Sequence, residues 1–146
     1  MTKRTRGFTL IELIVVILIL GILAAVAAPR FANLTGAARA AALDGLRAAV
    51  FSASTLANAL QVAQGLAAGS SVTIEGATIL MNNGYPTAAA GIAAAVRFDT
   101  ATFSTAAGAF FVTNAGDTAN CRFTYADAGS TTTPPVISPI LNRSLC

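Results

Sequence analysis

The chain has 146 residues, of which 10% are charged: nine Lys and Arg against six Asp and Glu, with two Cys and no His. Without His there is no imidazole base and no Ser–His pair, and two Cys do not fill a structural zinc shell. Ordinary soluble domains carry about 25% charged residues, so the scarcity suits a protein packed among copies of itself, and equally an Ala-rich domain.

The formal charge of +3 misleads, because Lys3, Arg4 and Arg6 all precede Gly7; beyond them six Arg face six acids. A basic surface for nucleic acid is therefore not expected. Residues 1–7 read as a leader and not as fold. Residues 8–28 follow as 21 positions with one charge, Glu12. As a helix such a run rises about 31 Å, enough for a hydrocarbon core of about 30 Å. The basic residues before it predict a cytoplasmic start and an external remainder.

Glu12 is the anomaly. A carboxylate near the end of a span costs about 2–3 kcal/mol on insertion scales, and the sequence offers no partner within one turn. It is either protonated or reaching for headgroups, or it awaits a cation from elsewhere. Cutting between Gly7 and Phe8 creates one, a new α-amino group at Phe8. An ordinary secretory signal is the alternative, with Ala25-Val26-Ala27 as a small-x-small cut site. The apolar run exceeds the usual length of such signals, and Glu12 would lie inside it.

Gly21 and Pro29 interrupt the helix, and Pro29 removes one backbone hydrogen bond, which predicts a kink or a loosened stretch. From Arg30 the pattern turns amphipathic. Leu43, Leu46, Val50, Ala53, Ala57 and Leu60 form one helical face, and the helix is expected to reach Gln64 and stop at Gly65 or Gly69. Two runs, Val72-Thr73-Ile74-Glu75 and Thr78-Ile79-Leu80-Met81, flank Gly76-Ala77 as a hairpin. Asn82-Asn83-Gly84-Tyr85-Pro86 is a turn cluster. Residues 91–96 read as a short helix or a strand, with Ala favouring helix. Residues 109–113 and 121–125 read as strands of one antiparallel sheet, and residues 136–141 as an edge strand limited by Pro139. The sheet is expected to pack on the Leu43–Leu60 stripe, with Phe110, Phe123, Val112 and Ile79 in the core.

On the outer side of a membrane an even Cys count favours one disulfide, Cys121 to Cys146, over two free thiols. The loop of about 25 residues would restrict the unfolded chain by about 3 kcal/mol. No enzymatic chemistry belongs to the chain, and no cofactor or metal is expected. The acids beyond the span, Asp44, Glu75, Asp99, Asp117 and Asp127, lack calcium-loop spacing, leaving only Asp117 and Asp127 as possible neighbours. Asn142-Arg143-Ser144 matches an N-linked acceptor pattern of the kind frequent by chance.

Gly7-Phe8-Thr9-Leu10-Ile11-Glu12, the short basic leader and the long apolar helix together resemble the class III signal and first helix of type IV pilins and their pseudopilin relatives. The resemblance implies an α+β fold: a long N-terminal helix packed on a small antiparallel sheet. It implies cleavage after Gly7 by a membrane prepilin peptidase and methylation of Phe8. Glu12 would then engage the N-terminal amine of a neighbouring subunit, and Gly21 and Pro29 would bound a segment able to extend on entering a filament. The implied organisation is a leader over 1–7, a membrane or filament-core half-helix over 8–30, and a head over 31–146, with the amphipathic half-helix at about 31–65. The implied partners are copies of the chain in a helical filament, the prepilin peptidase, the pilus assembly machinery, the inner membrane before assembly and an unknown surface receptor. Ala28-Pro29-Arg30-Phe31, Asn83-Gly84-Tyr85-Pro86 and the late cysteine pair are similar to the mannose-sensitive haemagglutinin branch of the type IVa pilins. There the Cys121–Cys146 segment would be a disulfide-closed loop on the filament surface. The expected function is the major subunit of a type IV pilus, with a type II secretion pseudopilin as the alternative.

Overall fold

A computed structural model describes residues 7–146 of the protein. Helix α1, Leu10–Ala63, is followed by strands β1 (Val72–Ile74), β2 (Ala77–Ile79), β3 (Met81–Asn82) and β4 (Tyr85–Pro86). Then come a short helix, α2 (Gly91–Ala95), strands β5 (Phe103–Ala106), β6 (Ala109–Val112), β7 (Arg122–Ala126) and β8 (Val136–Ile137), and a 3-10 turn at Arg143–Leu145. The architecture is α+β. The chain divides into two compact units at Thr35 and Gly36.

In the first unit α1 is built from Leu, Ile, Val and Ala, and it stays helical through Gly21 and Pro29. Its large apolar side chains, from Phe8 to Val26, are all exposed. By length and composition the segment is able to cross a membrane.

In the second unit the same helix turns one face inward. Ala40, Leu43, Leu46, Val50 and Ala57 are buried, and Ala53 and Leu60 pack against the core from its margin. The helix ends because Gly65 takes φ 64°. The Leu66 N–H then reaches back to the Gln61 carbonyl (3.1 Å) and the Gly65 N–H to Val62 (3.0 Å), a Schellman closure that satisfies the last carbonyls.

Strands β1 and β2 form a hairpin with Val72 opposite Ile79. Its turn is Glu75-Gly76 and not the Gly76-Ala77 expected, so the register slips by one and Met81 joins β3 instead. The β3–β4 hairpin turns at Asn83-Gly84, and the β5–β6 hairpin at Ala107-Gly108. All three turns have positive φ at both central residues: 49° and 83°, 51° and 85°, 46° and 82°. That pairing is what a two-residue turn of type I′ requires, because its twist matches the strands it joins. Gly108 is doubly constrained, since a Cβ there would stand 2.5 Å from the Tyr125 carbonyl oxygen.

Strands β5 to β8 form one antiparallel sheet in the order β5-β6-β7-β8. Strand β5 was not expected from the sequence. The core has two parts. In one, Phe110 and Phe123 stack in parallel at 5.1 Å and Phe98 meets Phe110 edge-on at 5.9 Å, all against Leu43, Leu46 and Val50. In the other, Ala57 packs with Val72, Ile79 and Met81.

Four polar side chains on or facing α1 fix the register of helix against sheet and loops. Tyr125 donates its single proton to the Pro86 carbonyl (2.8 Å), so Ser54 donates to the Tyr125 oxygen (3.2 Å). Gln61 is buried and its amide donates to the Ser70 (2.7 Å) and Ala68 (3.3 Å) carbonyls. Asn58 donates to the Gly84 carbonyl (2.7 Å). Each is a buried or half-buried group whose loss would strand a partner.

Candidate functional site

The site is the first turn of α1. Thr9 precedes the helix, and its carbonyl accepts the first helical bond, from the Leu13 N–H at 3.3 Å. The Glu12 carboxylate reaches back, its Oε2 accepting from the Thr9 N–H (2.9 Å) and the Thr9 hydroxyl (2.7 Å). The Glu12 N–H points at the Thr9 Oγ1 (3.4 Å). This is the reciprocal capping box of a Thr-x-x-Glu sequence, in which orphan N–H groups of the first turn are satisfied by side chains. It corrects the expectation that nothing within one turn pairs with Glu12. The signal lies in the sequence as Thr9-Leu10-Ile11-Glu12, where a hydrogen-bonding cap and not a cation meets the carboxylate.

Thr9 offers hydrogen bonds but no countercharge. The carboxylate sits beside a shallow groove of about 320 Å³ lined by Phe8, Ile11, Glu12, Val15 and Val16. Four of the five walls are aliphatic or aromatic, and Phe8 is 84% exposed. Among the described residues no cation contacts the carboxylate, which stands at an apolar surface. Gly7 and Phe8, the expected cleavage pair, lie immediately before this turn. Lys3, Arg4 and Arg6 of the expected leader lie outside the described residues.

The remaining sequence-selected residues stand apart from this turn. Gly21 and Pro29 lie within the continuous α1. Cys121 and Cys146 are joined as a disulfide, and the loop they close is held to α1 at two places. Arg39 donates to the Cys146 carbonyl oxygen at 3.0 Å, and Arg143 pairs with Asp44. The first of these anchors joins residues 107 positions apart in the chain, and neither was legible from local spacing.

Asp117 and Asp127 are engaged separately. Asp117 accepts from the Asn120 side chain and from the Asn120 and Ala119 N–H groups, and the side-chain bond chiefly holds its carboxyl below the usual range. Asp127 accepts from the Ala88 N–H at 2.6 Å. Among the described residues no group of three or more His, Cys, Asp or Glu assembles as a metal site.

Comparison with known proteins bears on the N-terminal part. Residues 2–28 match the family described as the prokaryotic N-terminal methylation motif, a stretch that includes Gly7, Phe8 and the Thr9–Glu12 box. The N-terminal segment carries that motif. A type IV narrow pilus major component, PilA5 of Thermus thermophilus, is 56% identical over 54 residues. The match covers 37% of this chain and 47% of that protein, so the chain spans about half the length of the pilin it matches. No solved structure matches. The long helix on small antiparallel sheets accords with the pilin fold. The finer resemblance to the mannose-sensitive haemagglutinin branch rests on Ala28-Pro29-Arg30-Phe31, the Ala-rich helix, Asn83-Gly84-Tyr85-Pro86 and the cysteine pair.

Proposed function

We propose that this protein is a structural subunit, the major pilin, of a type IV pilus. The observation that carries the reading is Glu12: a carboxylate with no countercharge among the described residues, at the start of a helical stretch whose large apolar side chains, up to Val26, are all exposed in the single chain. Burying that surface among copies is favourable by about 25 cal/mol per Å². Burying the anion with it is unfavourable unless a cation accompanies it.

A cut after Gly7 supplies that cation. Hydrolysis of the Gly7–Phe8 bond leaves the Gly7 carboxylate on the leader and an amine on Phe8. The prepilin peptidase performs the cut and methylates Phe8. The amine of one subunit then meets Glu12 of the next, which fixes register and direction together. Before assembly residues 8–30 hold the precursor in the inner membrane with the leader cytoplasmic. Afterwards the head, residues 31–146, lies on the outside of the fibre, where the Cys121–Cys146 loop is available for attachment to a surface receptor. The assembly machinery draws subunits out of the bilayer, and α1 bends or loosens between Gly21 and Pro29 as they leave. The role is structural and not catalytic. A secretion pseudopilin would share the chain up to Pro29. The relative's description as a pilus component favours the pilus.

The test has two parts. The mass of the mature N-terminal peptide is expected to place Phe8 first, with one added methyl group. Glu12→Ala is expected to be processed normally and to yield few or no filaments. A mature chain beginning elsewhere, or normal filament yield from Glu12→Ala, overturns the proposal.

A further inference from the structure

Besides Glu12, residues 8–35 hold one other charged side chain, Arg30. It lies within α1, directly after Pro29, and it is exposed. The ion pairs among the described residues are Arg97–Glu75 and Arg143–Asp44, and neither includes it. Two large apolar side chains follow, Phe31 at 67% and Leu34 at 63% exposed. Being three apart, they share a face of the helix. All three residues belong to the first unit of the chain. The single chain thus leaves a guanidinium and two apolar side chains uncovered together, beyond the end of the apolar run.

Helical rise gives these residues a definite height, because α1 continues unbroken past Pro29. At about 1.5 Å per residue, Arg30 stands about 33 Å along the axis from Phe8, and Leu34 about 39 Å. An average tilt of about 20° lowers these heights to about 31 and 37 Å. A hydrocarbon core is about 30 Å thick, and about 40–45 Å with both headgroup layers. A span with Phe8 at the inner boundary of the core therefore brings Arg30, Phe31 and Leu34 into the outer headgroup layer. That layer suits each of them. A guanidinium donates paired N–H groups to phosphate oxygens, and its stem lies along apolar surface while its head stays in the polar layer. Phe and Leu on one helix face bury favourably at the boundary of headgroups and acyl chains. A second copy could cover Phe31 and Leu34 with its own apolar run. Residues 8–28 of that copy would offer Arg30 one acid, Glu12, which the pilus reading assigns to the Phe8 amine.

We propose that Arg30, Phe31 and Leu34 form a lipid-headgroup anchor: the guanidinium binds a phospholipid phosphate of the outer leaflet, and the two apolar side chains lie in the same layer. The anchor fixes how deep the span sits until the subunit is drawn out. A cut after Gly7 removes Lys3, Arg4 and Arg6, which leaves Arg30 as the one basic side chain in residues 8–35. The anchor therefore matters most after cleavage. The inference rests on the membrane-held stage of the pilus reading and adds to it what holds the span at its outer end.

The chain has no Trp, so Phe31→Trp and Leu18→Trp each give the full chain a single indole. Each variant is reconstituted at high dilution in vesicles of phosphatidylglycerol and phosphatidylethanolamine, with lipids brominated either near the headgroup or deep in the acyl chain. The Phe31→Trp indole is expected to be quenched about threefold more by the shallow bromine than by the deep one, and the Leu18→Trp indole the reverse. Adding Arg30→Glu to Phe31→Trp should lower the shallow quenching about twofold and raise quenching by aqueous acrylamide by about as much. Arg30→Lys should change little, and in vesicles of a phosphate-free glycosyl diacylglycerol the effect of Arg30→Glu should vanish. If the Phe31→Trp indole escapes both bromines while the Leu18→Trp indole is quenched, the anchor is overturned and the span stands. Equal quenching with Arg30 and Arg30→Glu, or an effect of the same size without phosphate, overturns the phosphate contact. Shielding from acrylamide that grows with the protein-to-lipid ratio, without bromine quenching, assigns the face to a second copy and overturns the anchor. If the Leu18→Trp indole escapes both bromines, the membrane-held stage of the pilus reading fails.

Discussion

Leu18 and Leu43 lie on the same helix, yet the first is 59% exposed and the second fully buried. Up to Thr35 the apolar side chains face outward on every side of α1. From Gly36 onward one face, with Leu43, Leu46, Val50 and Ala57, is buried in the core, while Phe51, Leu56 and Val62 stay exposed on the other. A helix apolar all round needs an environment supplied from outside, whether lipid or other helices, while a helix apolar on one face is completed by its own chain. The difference separates what this protein does alone from what it needs partners for. The head folds around Phe110 and Phe123, while the N-terminal half-helix leaves its large apolar side chains uncovered in the single chain.

That contrast can be tested by substitutions that should register on one side only. Phe123→Ala is expected to destabilise the head by about 3–5 kcal/mol, since the stacked Phe110 would face a cavity. Leu18→Ala, a comparable loss of apolar volume, should leave the head's thermal unfolding in detergent unchanged. Replacing both cysteines by Ser should cost about 3 kcal/mol on the same assay. Gly108→Ala puts a Cβ against the Tyr125 carbonyl at positive φ, and about 2 kcal/mol is expected from the strained turn.

Tyr125→Phe removes the donor to Pro86 and the acceptor for Ser54, a loss of about 1 kcal/mol. Burial pushes the Tyr125 hydroxyl up to about 12, opposed by the Ser54 hydrogen bond and assisted by the Asp127 and Tyr85 charges. The folded state thus favours the neutral phenol. Its contribution is complete below the unfolded value of about 10 and is lost as pH rises toward about 12. An alkaline titration of head unfolding should show this fall in the native chain and not in Tyr125→Phe. The smallest effect falls on the other side of the contrast. Thr9→Ala should weaken the first turn of α1 by about 1 kcal/mol, read as faster hydrogen exchange at Glu12 and Leu13 in micelles, with head unfolding unaffected.

Much of this division was legible in the residues. The apolar run, the lone Glu12 and the switch to a three-and-four spacing at Leu43 set both halves of α1. Asn83-Gly84 announced its turn, because Asn and Gly tolerate positive φ. Glu75-Gly76 and Ala107-Gly108 did not, because Glu and Ala rarely sit there; the first hairpin was misplaced by one residue, and β5, Phe103–Ala106, was missed with the second. The capping box was written in Thr9 and Glu12 but hidden by the search for a charge. The groove lined by Asp44, Arg47, Phe51 and Ile137 was unreadable, since it depends on Ile137 arriving beside Phe51 from 86 positions away along the chain.

The closing residue of the head has a mechanical meaning. Cys146 lies against Gly36, close enough that a Cβ there would be 3.3 Å from its carbonyl carbon, and its sulfur is tied to Cys121 just ahead of β7. The last residue is thereby pinned beside the first helical residue of the same unit. The segment after β8 thus returns to the helix where the head begins, and the disulfide, the Arg39 contact and the Arg143–Asp44 pair fasten the end of the chain to α1 and β7 together, so that the sheet cannot peel from the helix at that end without breaking all three.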